Sequence, residues 1–346
     1  MSQYAYAPSN IALIKYMGKK DAQSNLPANR SLSLTLNHLR TCARASEMDA
    51  PMGTLKWVED EAAPEGFCAP KLKAEGILKL ERYLNTLTLL LPEALQTAGF
   101  EVDARPLVLS SWNNFPAEAG IASSASAFAA LTGAVALSWV RDSQAFLNAW
   151  SEPSFRKPFA SLSRRGSGSS IRSFLGPWVM WDGERPESVE CATEEWDDTI
   201  LLIRSEPKAV SSSVAHQRVL TSPLWMGRVE RVEERMENFL GALRSGDWGT
   251  CARLSWQEAW EMHSLFHTAW PSFSYMTGQT LEVLKTLSAP LSDGALWCVT
   301  LDAGPNIHIV TPKSETEGLR TYLNRVFPDI KRLEDQTSTG VSLSGK

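Results

Sequence analysis

Apolar residues recur along the chain with two different periods, which together predict a mixture of strands and helices. Residues 31–36 (SLSLTL) alternate polar and apolar side chains, as a half-buried strand does. Short apolar runs predict further strands at residues 106–111, 177–181, 199–203, 296–300 and 307–310. Wider spacing predicts amphipathic helices at residues 74–91, 229–243, 248–263 and 315–327. Both element types therefore occur along the whole chain.

Proline and small residues indicate where some of these elements end and how they are buried. Pro92 predicts the end of the first helix, because proline has no N–H with which to continue it. Residues 119–140 contain no charged residue and are long enough to span a bilayer, but they are rich in Ala, Ser and Gly. We therefore expect a buried helix from about residue 122. The Ser/Thr/Gly tail after Gln336 predicts a frayed end.

The order of the predicted elements indicates the fold class. Helices and strands interleave without a regular βαβ rhythm, which predicts an α+β fold of two lobes. A length of 346 residues suits two domains, and 43% apolar residues suit a globular core. The composition becomes acidic and polar over residues 183–198, so we place the lobes at residues 1–185 and 186–346.

Charge and cysteine content narrow the function classes. A formal net charge of −5 argues against a general nucleic-acid binder. The five cysteines are scattered and form no CxxC pair, which predicts a reduced, cytoplasmic protein without disulfides or a zinc site. The first ten residues lack the basic and apolar pattern of a signal peptide.

The strongest candidate for chemistry is the segment from Pro116 to Ala127. It joins a turn to the start of a helix, where Gly120, Ser123 and Ser124 lie. Free N–H groups at a helix start favour an anion, and serine hydroxyls can add donors or hold a phosphate-bound Mg²⁺. The segment is not a Walker loop. The alternative is a core helix that needs small residues for close packing.

Three further segments place charged groups in unusual settings. Residues 164–172 (RRGSGSSIR) can form a concave donor site for phosphate or carboxylate, or else a solvated helix start. Lys15 follows an apolar run that would bury its stem, so its ammonium needs a partner unless it reaches solvent at a sheet edge. Asp302 ends a strand before a tight turn, where it either serves a site or caps the turn.

Together these segments resemble the diphosphomevalonate decarboxylase family of the galactokinase/homoserine kinase/mevalonate kinase/phosphomevalonate kinase (GHMP) superfamily. The matching words are NIALIKYMGKKD, LPANRSLSLTL, NNFPAEAGIASSASAFAAL, SRRGSGSSIRSF and LDAGPN, which follow the family's order over residues 10–306. The resemblance implies a two-lobed GHMP kinase fold, with an N-terminal lobe like domain 2 of ribosomal protein S5. It also implies an α/β-sandwich C-terminal lobe and an active-site cleft between the two.

The family reaction is the ATP-dependent decarboxylation of mevalonate 5-diphosphate to isopentenyl diphosphate, ADP, phosphate and CO₂. The resemblance implies this activity, with ATP and Mg²⁺, in a cytoplasmic homodimer. It implies that Asp302 contacts the 3-hydroxyl, that Lys15 keeps Asp302 ionised, and that Arg172 clamps the substrate carboxylate. The implied contacts to the substrate diphosphate are Tyr16, Lys19, Ser167, Gly168 and Ser169. The implied contacts to the ATP phosphates are Gly120, Ile121, Ala122, Ser123 and Ser124, with Ser124 also near Mg²⁺.

The chain departs from the family pattern at three positions. Met17 replaces a tryptophan, which exchanges one large apolar residue for another. Arg30 stands where the family commonly has serine, and Ser213 stands where it commonly has an arginine that helps to bind the diphosphate. We therefore expect either that Arg30 binds the diphosphate in place of the lost arginine, or that the substrate carries a different 5-substituent.

Other functions are compatible with some of these sequence motifs. On the same fold, the chain could decarboxylate mevalonate 5-phosphate or stop at 3-phosphorylation. A non-catalytic metabolite-binding protein on a kinase scaffold and a membrane-surface protein built around residues 119–140 are two alternatives of other classes.

Overall fold

The computed structural model describes residues 2–115, 123–193, 195–203 and 210–345. The strands are β1 Ser2–Ile14, β2 Lys19–Asp21, β3 Leu26–Pro27, β4 Ser31–Glu47, β5 Leu55–Trp57, β6 Leu107–Asn113, β7 Trp178–Trp181, β8 Pro186–Ser188, β9 Trp196–Leu201, β10 Cys298–Thr300, β11 Ile307–Pro312, β12 Arg332–Gln336 and β13 Ser342–Gly345. The α-helices are α1 Ala74–Thr97, α2 Ser123–Trp139, α3 Ser143–Trp150, α4 Pro153–Ser163, α5 Ser212–Arg218, α6 Arg228–Ser245, α7 Trp248–Thr268, α8 Gly278–Ser292 and α9 Thr316–Val326.

The strands form two main sheets. The seven-stranded sheet has the order β13-β1-β4-β6-β5, and β7 pairs with the first part of β4 and carries β8 at its edge. The four-stranded sheet has the order β10-β11-β9-β12 and is antiparallel throughout. Because β8 and β13 both join the first sheet, the sheets do not divide the chain at one point. The lobes 1–185 and 186–346 therefore stay a prediction.

The charge-free segment forms a core helix. None of the described helices is long and apolar enough to cross a membrane. Instead, α2 packs against β1 and β4, and its side chains are buried around the whole circumference. A helix without a polar face is expected in the middle of a core. The prediction of a buried helix is thus confirmed.

A second core joins the two sheets. Strand β1 is buried on both faces over residues 7–14. Ile11 and Leu13 share an apolar cluster with Met236 and Phe239 of α6 and with Val310 of β11. Burial on both faces suits a strand enclosed between layers. The end of β1 is therefore held rigidly where the first sheet, α6, α7 and the second sheet meet.

Two sequence predictions are wrong: one concerns where the first helix ends, and the other concerns the C-terminal tail. Helix α1 continues through Pro92 to Thr97, because Leu91 and Leu95 extend its buried apolar stripe. The tail after Gln336 is not frayed: β13 pairs with β1, and the carbonyl of Val341 accepts a hydrogen bond from Trp150. Tertiary packing outweighs local propensity in both places.

Gly340→Ala is expected to lower the free energy of unfolding by about 2–5 kcal/mol, from backbone strain plus steric overlap. Gly340 has φ +101°, and an added Cβ would lie 2.3 Å from the carbonyl oxygen of Phe174. Urea unfolding measures the loss. Gly318→Ala in α9 is the control, because an added Cβ there meets no atom within 4 Å. Equal effects of the two substitutions would mean that the tail does not pack as described.

Candidate active site

An ion pair joins the end of β1 to the end of β10. The Nζ atom of Lys15 lies 2.7 Å from Oδ1 of Asp302. The side chain of Lys15 is 2% exposed and that of Asp302 is 26% exposed. Lys15 thus has a partner instead of reaching solvent, and Asp302 is the member of the pair that faces outward.

Each member of the pair favours the charged form of the other. Burial alone would raise the pKa of Asp302, but the Lys15 ammonium, with His308 and Arg172, brings that pKa below its ordinary value. Burial lowers the pKa of Lys15, and the Asp302 carboxylate offsets part of this effect. Each charge therefore depends on the other to remain in a buried place.

Arg172 approaches the same place from a 3₁₀ turn over Gly168–Ser173. Its Nη1 donates to the hydroxyl of Ser31 at 2.7 Å, and its Nε donates to the amide oxygen of Asn10 at 3.3 Å. Burial lowers its pKa to about 10. Within the described ranges no carboxylate forms an ion pair with Arg172, although Asp302 is near enough to act on its charge. The guanidinium is held by neutral groups, so its charge is available to an anion.

The residues predicted to bind the diphosphate also lie together. An added Cβ on Gly168 would lie 2.7 Å from the ring of Tyr16, so the loop requires glycine for this close approach. The hydroxyl of Ser167 lies 3.3 Å from that of Ser169. Lys19 donates to the side-chain oxygen of Asn25 at 2.6 Å. These groups form a wall of donors beside Arg172.

The predicted ATP phosphate loop is described only in part. Gly120, Ile121 and Ala122 lie outside the described residues. Ser123 begins α2, and the hydroxyl of Ser124 lies 3.2 Å from that of Ser167. The start of α2 is thus next to the donor wall.

No described group of three or more His, Cys, Asp or Glu residues could hold a metal ion. A serine hydroxyl is a suitable oxygen ligand for Mg²⁺, which also binds substrate phosphates and water. Ser124 therefore fits an ion held mainly by ATP, as the resemblance implies.

Arg30, predicted to bind the diphosphate, has two carboxylate partners in the structure. Its Nε pairs with Glu233 at 2.5 Å and its Nη2 with Glu237 at 2.6 Å, both on α6. Its main-chain N–H also donates to Glu233. Two carboxylates compensate this guanidinium, so Arg30 links the start of β4 to α6. A contact between Arg30 and the substrate diphosphate stays a prediction.

Sequence reasoning missed Glu258, which supports the site from α7. This fully buried carboxylate accepts a hydrogen bond from the main-chain N–H of Lys15 at 3.1 Å. It also pairs with Arg228 and Arg235 of α6. The sequence contains a pattern that could have indicated these ion pairs. Two consecutive helices carry opposite charges at helical spacing, with basic residues at 228, 231 and 235 and acidic residues at 258 and 261.

His216 of α5 is a second residue that sequence reasoning did not assign to the site. Its Nδ1 accepts a hydrogen bond from the Gly18 amide at 3.1 Å, and its ring lies 4.3 Å from that of Tyr16 between centroids. His216 lies three residues after Ser213, but nothing in the sequence indicates that its ring reaches Gly18 and Tyr16, so its position became visible only in the fold.

Comparison with known proteins assigns the family. A model of the diphosphomevalonate decarboxylase-like N-terminal domain matches residues 7–192. A model of the mevalonate 5-diphosphate decarboxylase C-terminal domain matches residues 199–344. The chain belongs to the diphosphomevalonate decarboxylase family. The predicted resemblance is thereby confirmed.

Individual decarboxylases match over almost the whole chain. The diphosphomevalonate decarboxylase of Ganoderma lucidum is 32% identical over an alignment 354 residues long. The alignment covers 96% of this chain and 83% of that protein. A solved mevalonate diphosphate decarboxylase from Legionella pneumophila is 34% identical, with a TM-score of 0.78 and coverage of 96% and 100%. A structure described as MDDEF in complex with MVAPP, AMPPCP and magnesium is 27% identical, with a TM-score of 0.79 and coverage of 100% and 99%. The two-lobed α+β GHMP kinase fold is confirmed.

In this decarboxylase-family chain, Glu258→Gln is expected to lower the free energy of unfolding by about 3–5 kcal/mol, because buried guanidinium groups lose a charged partner. Chemical denaturation measures the change. The control is Glu317→Gln, which alters an exposed pair with Arg320 and should cost under about 1 kcal/mol. A loss for Glu258→Gln as small as that of the control would contradict the supporting role of Glu258.

Proposed function

We propose that this chain catalyses the ATP-dependent decarboxylation of mevalonate 5-diphosphate to isopentenyl diphosphate, ADP, phosphate and CO₂. The observation that carries the proposal is the outward-facing Asp302 carboxylate, held by buried Lys15 with the Arg172 guanidinium nearby. Family membership supports the same reaction. The relative in complex with MVAPP, AMPPCP and magnesium supports binding of ATP and Mg²⁺.

Asp302 is the group that acts on the 3-hydroxyl. It is the more exposed member of the pair, and its lowered pKa leaves it ionised and able to accept a proton or orient the hydroxyl. Lys15 stays behind it, where it holds the negative charge in place. The same carboxylate stabilises positive charge that develops at C3 as the 3-phosphate leaves.

Arg172 holds the substrate carboxylate until CO₂ departs. A planar guanidinium engages a carboxylate through two parallel hydrogen bonds, and the neutral partners of Arg172 leave its charge uncompensated. When bound, Mg²⁺ would offset the negative charge of the ATP phosphates, with the Ser124 hydroxyl as the nearby protein oxygen.

The remaining site residues keep the roles that the resemblance implies. Tyr16, Lys19, Ser167, Gly168 and Ser169 bind the diphosphate. Gly120 to Ser124 bind the ATP phosphates, with Ser124 near Mg²⁺. We also retain a cytoplasmic homodimer as part of the proposal; the unpaired state of the five cysteines agrees with a reduced compartment.

A second candidate is the decarboxylation of mevalonate 5-phosphate. Ser213 is exposed on α5, and the Arg30 guanidinium pairs with two glutamates. The site therefore offers the 5-substituent of the substrate one cation fewer than the family pattern does. A less charged substituent suits that loss. The presence of Asp302, Lys15 and Arg172 together argues against an enzyme that stops at 3-phosphorylation.

One assay separates these functions. The purified protein is incubated with ATP and Mg²⁺ and, in turn, mevalonate, its 5-phosphate and its 5-diphosphate, and release of ADP and CO₂ is measured. We expect equal amounts of ADP and CO₂ with the 5-diphosphate. ADP without CO₂ would indicate a 3-kinase, and preference for the 5-phosphate would favour the second candidate. No turnover of any of the three would contradict an enzymatic function.

Asp302→Asn is expected to lower kcat by about 10²–10⁴-fold or more, because the amide neither accepts the proton nor stabilises positive charge. Steady-state CO₂ release under saturating substrates measures the change, with thermal melting to verify folding. Asp293→Asn, at an exposed helix end, is the control and should retain full turnover. A loss below about tenfold for Asp302→Asn would show that the carboxylate has another role.

A further inference from the structure

His216 has a fixed orientation. Its Nδ1 accepts the hydrogen bond from the Gly18 amide at 3.1 Å. A neutral imidazole carries one proton, and an Nδ1 that accepts a hydrogen bond leaves that proton on Nε2. The Nε2–H is therefore a donor whose direction the Gly18 contact determines.

The ring lies in the wall of the predicted diphosphate site. It packs against Tyr16 with ring centroids 4.3 Å apart, and Tyr16 also contacts Trp181 and lies close to Gly168. Gly18, which holds the ring, directly precedes Lys19. His216 is thus attached to the same short segment that supplies two of the predicted diphosphate contacts.

Among the described residues, the charged groups that shift the pKa of His216 are cations. Burial, followed by Lys19 of β2, Lys79 of α1 and Arg172, lowers its pKa to about 3. Protonation would also place an Nδ1–H against the N–H of Gly18. The imidazole therefore stays neutral over the physiological pH range. A neutral donor surrounded by cations is a setting for an anionic ligand.

We propose that the Nε2–H of His216 donates a hydrogen bond to the 5-phosphate group of the substrate and fills the place of the cation absent at Ser213. His216 lies three residues after Ser213 on α5. This inference rests on the proposed function, and it makes His216 a substrate-binding residue.

The nature of this donor has a consequence for specificity. A neutral N–H binds a phosphate oxygen but adds no charge, so it favours the second phosphate of a diphosphate less than a guanidinium does. His216 should therefore contribute similarly to the binding of mevalonate 5-diphosphate and of mevalonate 5-phosphate.

Two substitutions distinguish the hydrogen-bond donor of His216 from the packing of its ring against Tyr16. His216→Phe keeps an aromatic ring against Tyr16 and removes both nitrogens. His216→Gln keeps an amide that can donate to a phosphate. His267→Phe is the matched control, because His267 is exposed on α7 and bonds Ser274 outside the described site. Thermal melting of each variant reports whether it is folded.

The test is steady-state kinetics with both phosphorylated substrates. A hydrogen bond to a charged group corresponds to about 10–150-fold in affinity. We expect His216→Phe to raise KM for both by that range, with KM for ATP and kcat changed less than about threefold. His216→Gln should recover part of the loss, and His267→Phe should change nothing. The ratio of KM between His216→Phe and the wild type should be constant from pH 6 to pH 8.

The outcomes distinguish this inference from the proposed function. If the wild type turns over substrate and folded His216→Phe leaves KM within threefold, the inference is overturned and the function stands. A KM ratio that falls as the pH rises through 6 to 8 would show a charged imidazole, which also overturns it. Calorimetric titration with mevalonate 5-diphosphate alone adds a direct measure of binding. Absence of both binding and turnover in the wild type would overturn the function and the inference together.

Discussion

A lysine ammonium removed from water needs a carboxylate against it, and this requirement fixes the geometry of the site. Lys15 is carried into the interior by a strand buried on both faces, and Asp302 meets it from the other sheet. The pair therefore depends on the shared core between the two sheets. In return, the Lys15 ammonium lowers the pKa of Asp302 at a place where burial alone would raise it.

The surroundings of the pair stabilise it without neutralising the site. Glu258 binds the main-chain N–H of Lys15 rather than its ammonium, while Arg228 and Arg235 compensate the charge of Glu258. Arg172 is held by a hydroxyl and an amide, and none of the described carboxylates forms an ion pair with it. The Arg172 guanidinium is thus placed to attract negative charge on the proposed substrate.

Local chemistry predicted the parts of the site that depend on one residue and its neighbours in sequence. The apolar run before Lys15 required a buried partner, and the turn after β10 placed an acid at a strand end. The ion pairs of Arg30 were not predicted because their acceptors, Glu233 and Glu237, lie about two hundred residues away in sequence. The same reason hid His216, whose contacts with Gly18 and Tyr16 arise only when α5 packs beside the end of β1. The helix through Pro92 and the paired tail were missed because tertiary packing decides both.

A double-mutant cycle on the ion pair tests this account most directly. Lys15→Met, Asp302→Asn and the double variant are compared with the wild type by kcat/KM for mevalonate 5-diphosphate. If Lys15 acts through Asp302, each single substitution lowers kcat/KM by about 10² or more, and the double variant is no worse than the more damaged single one. Losses that multiply in the double variant would contradict the account, because they would mean that the two residues act independently.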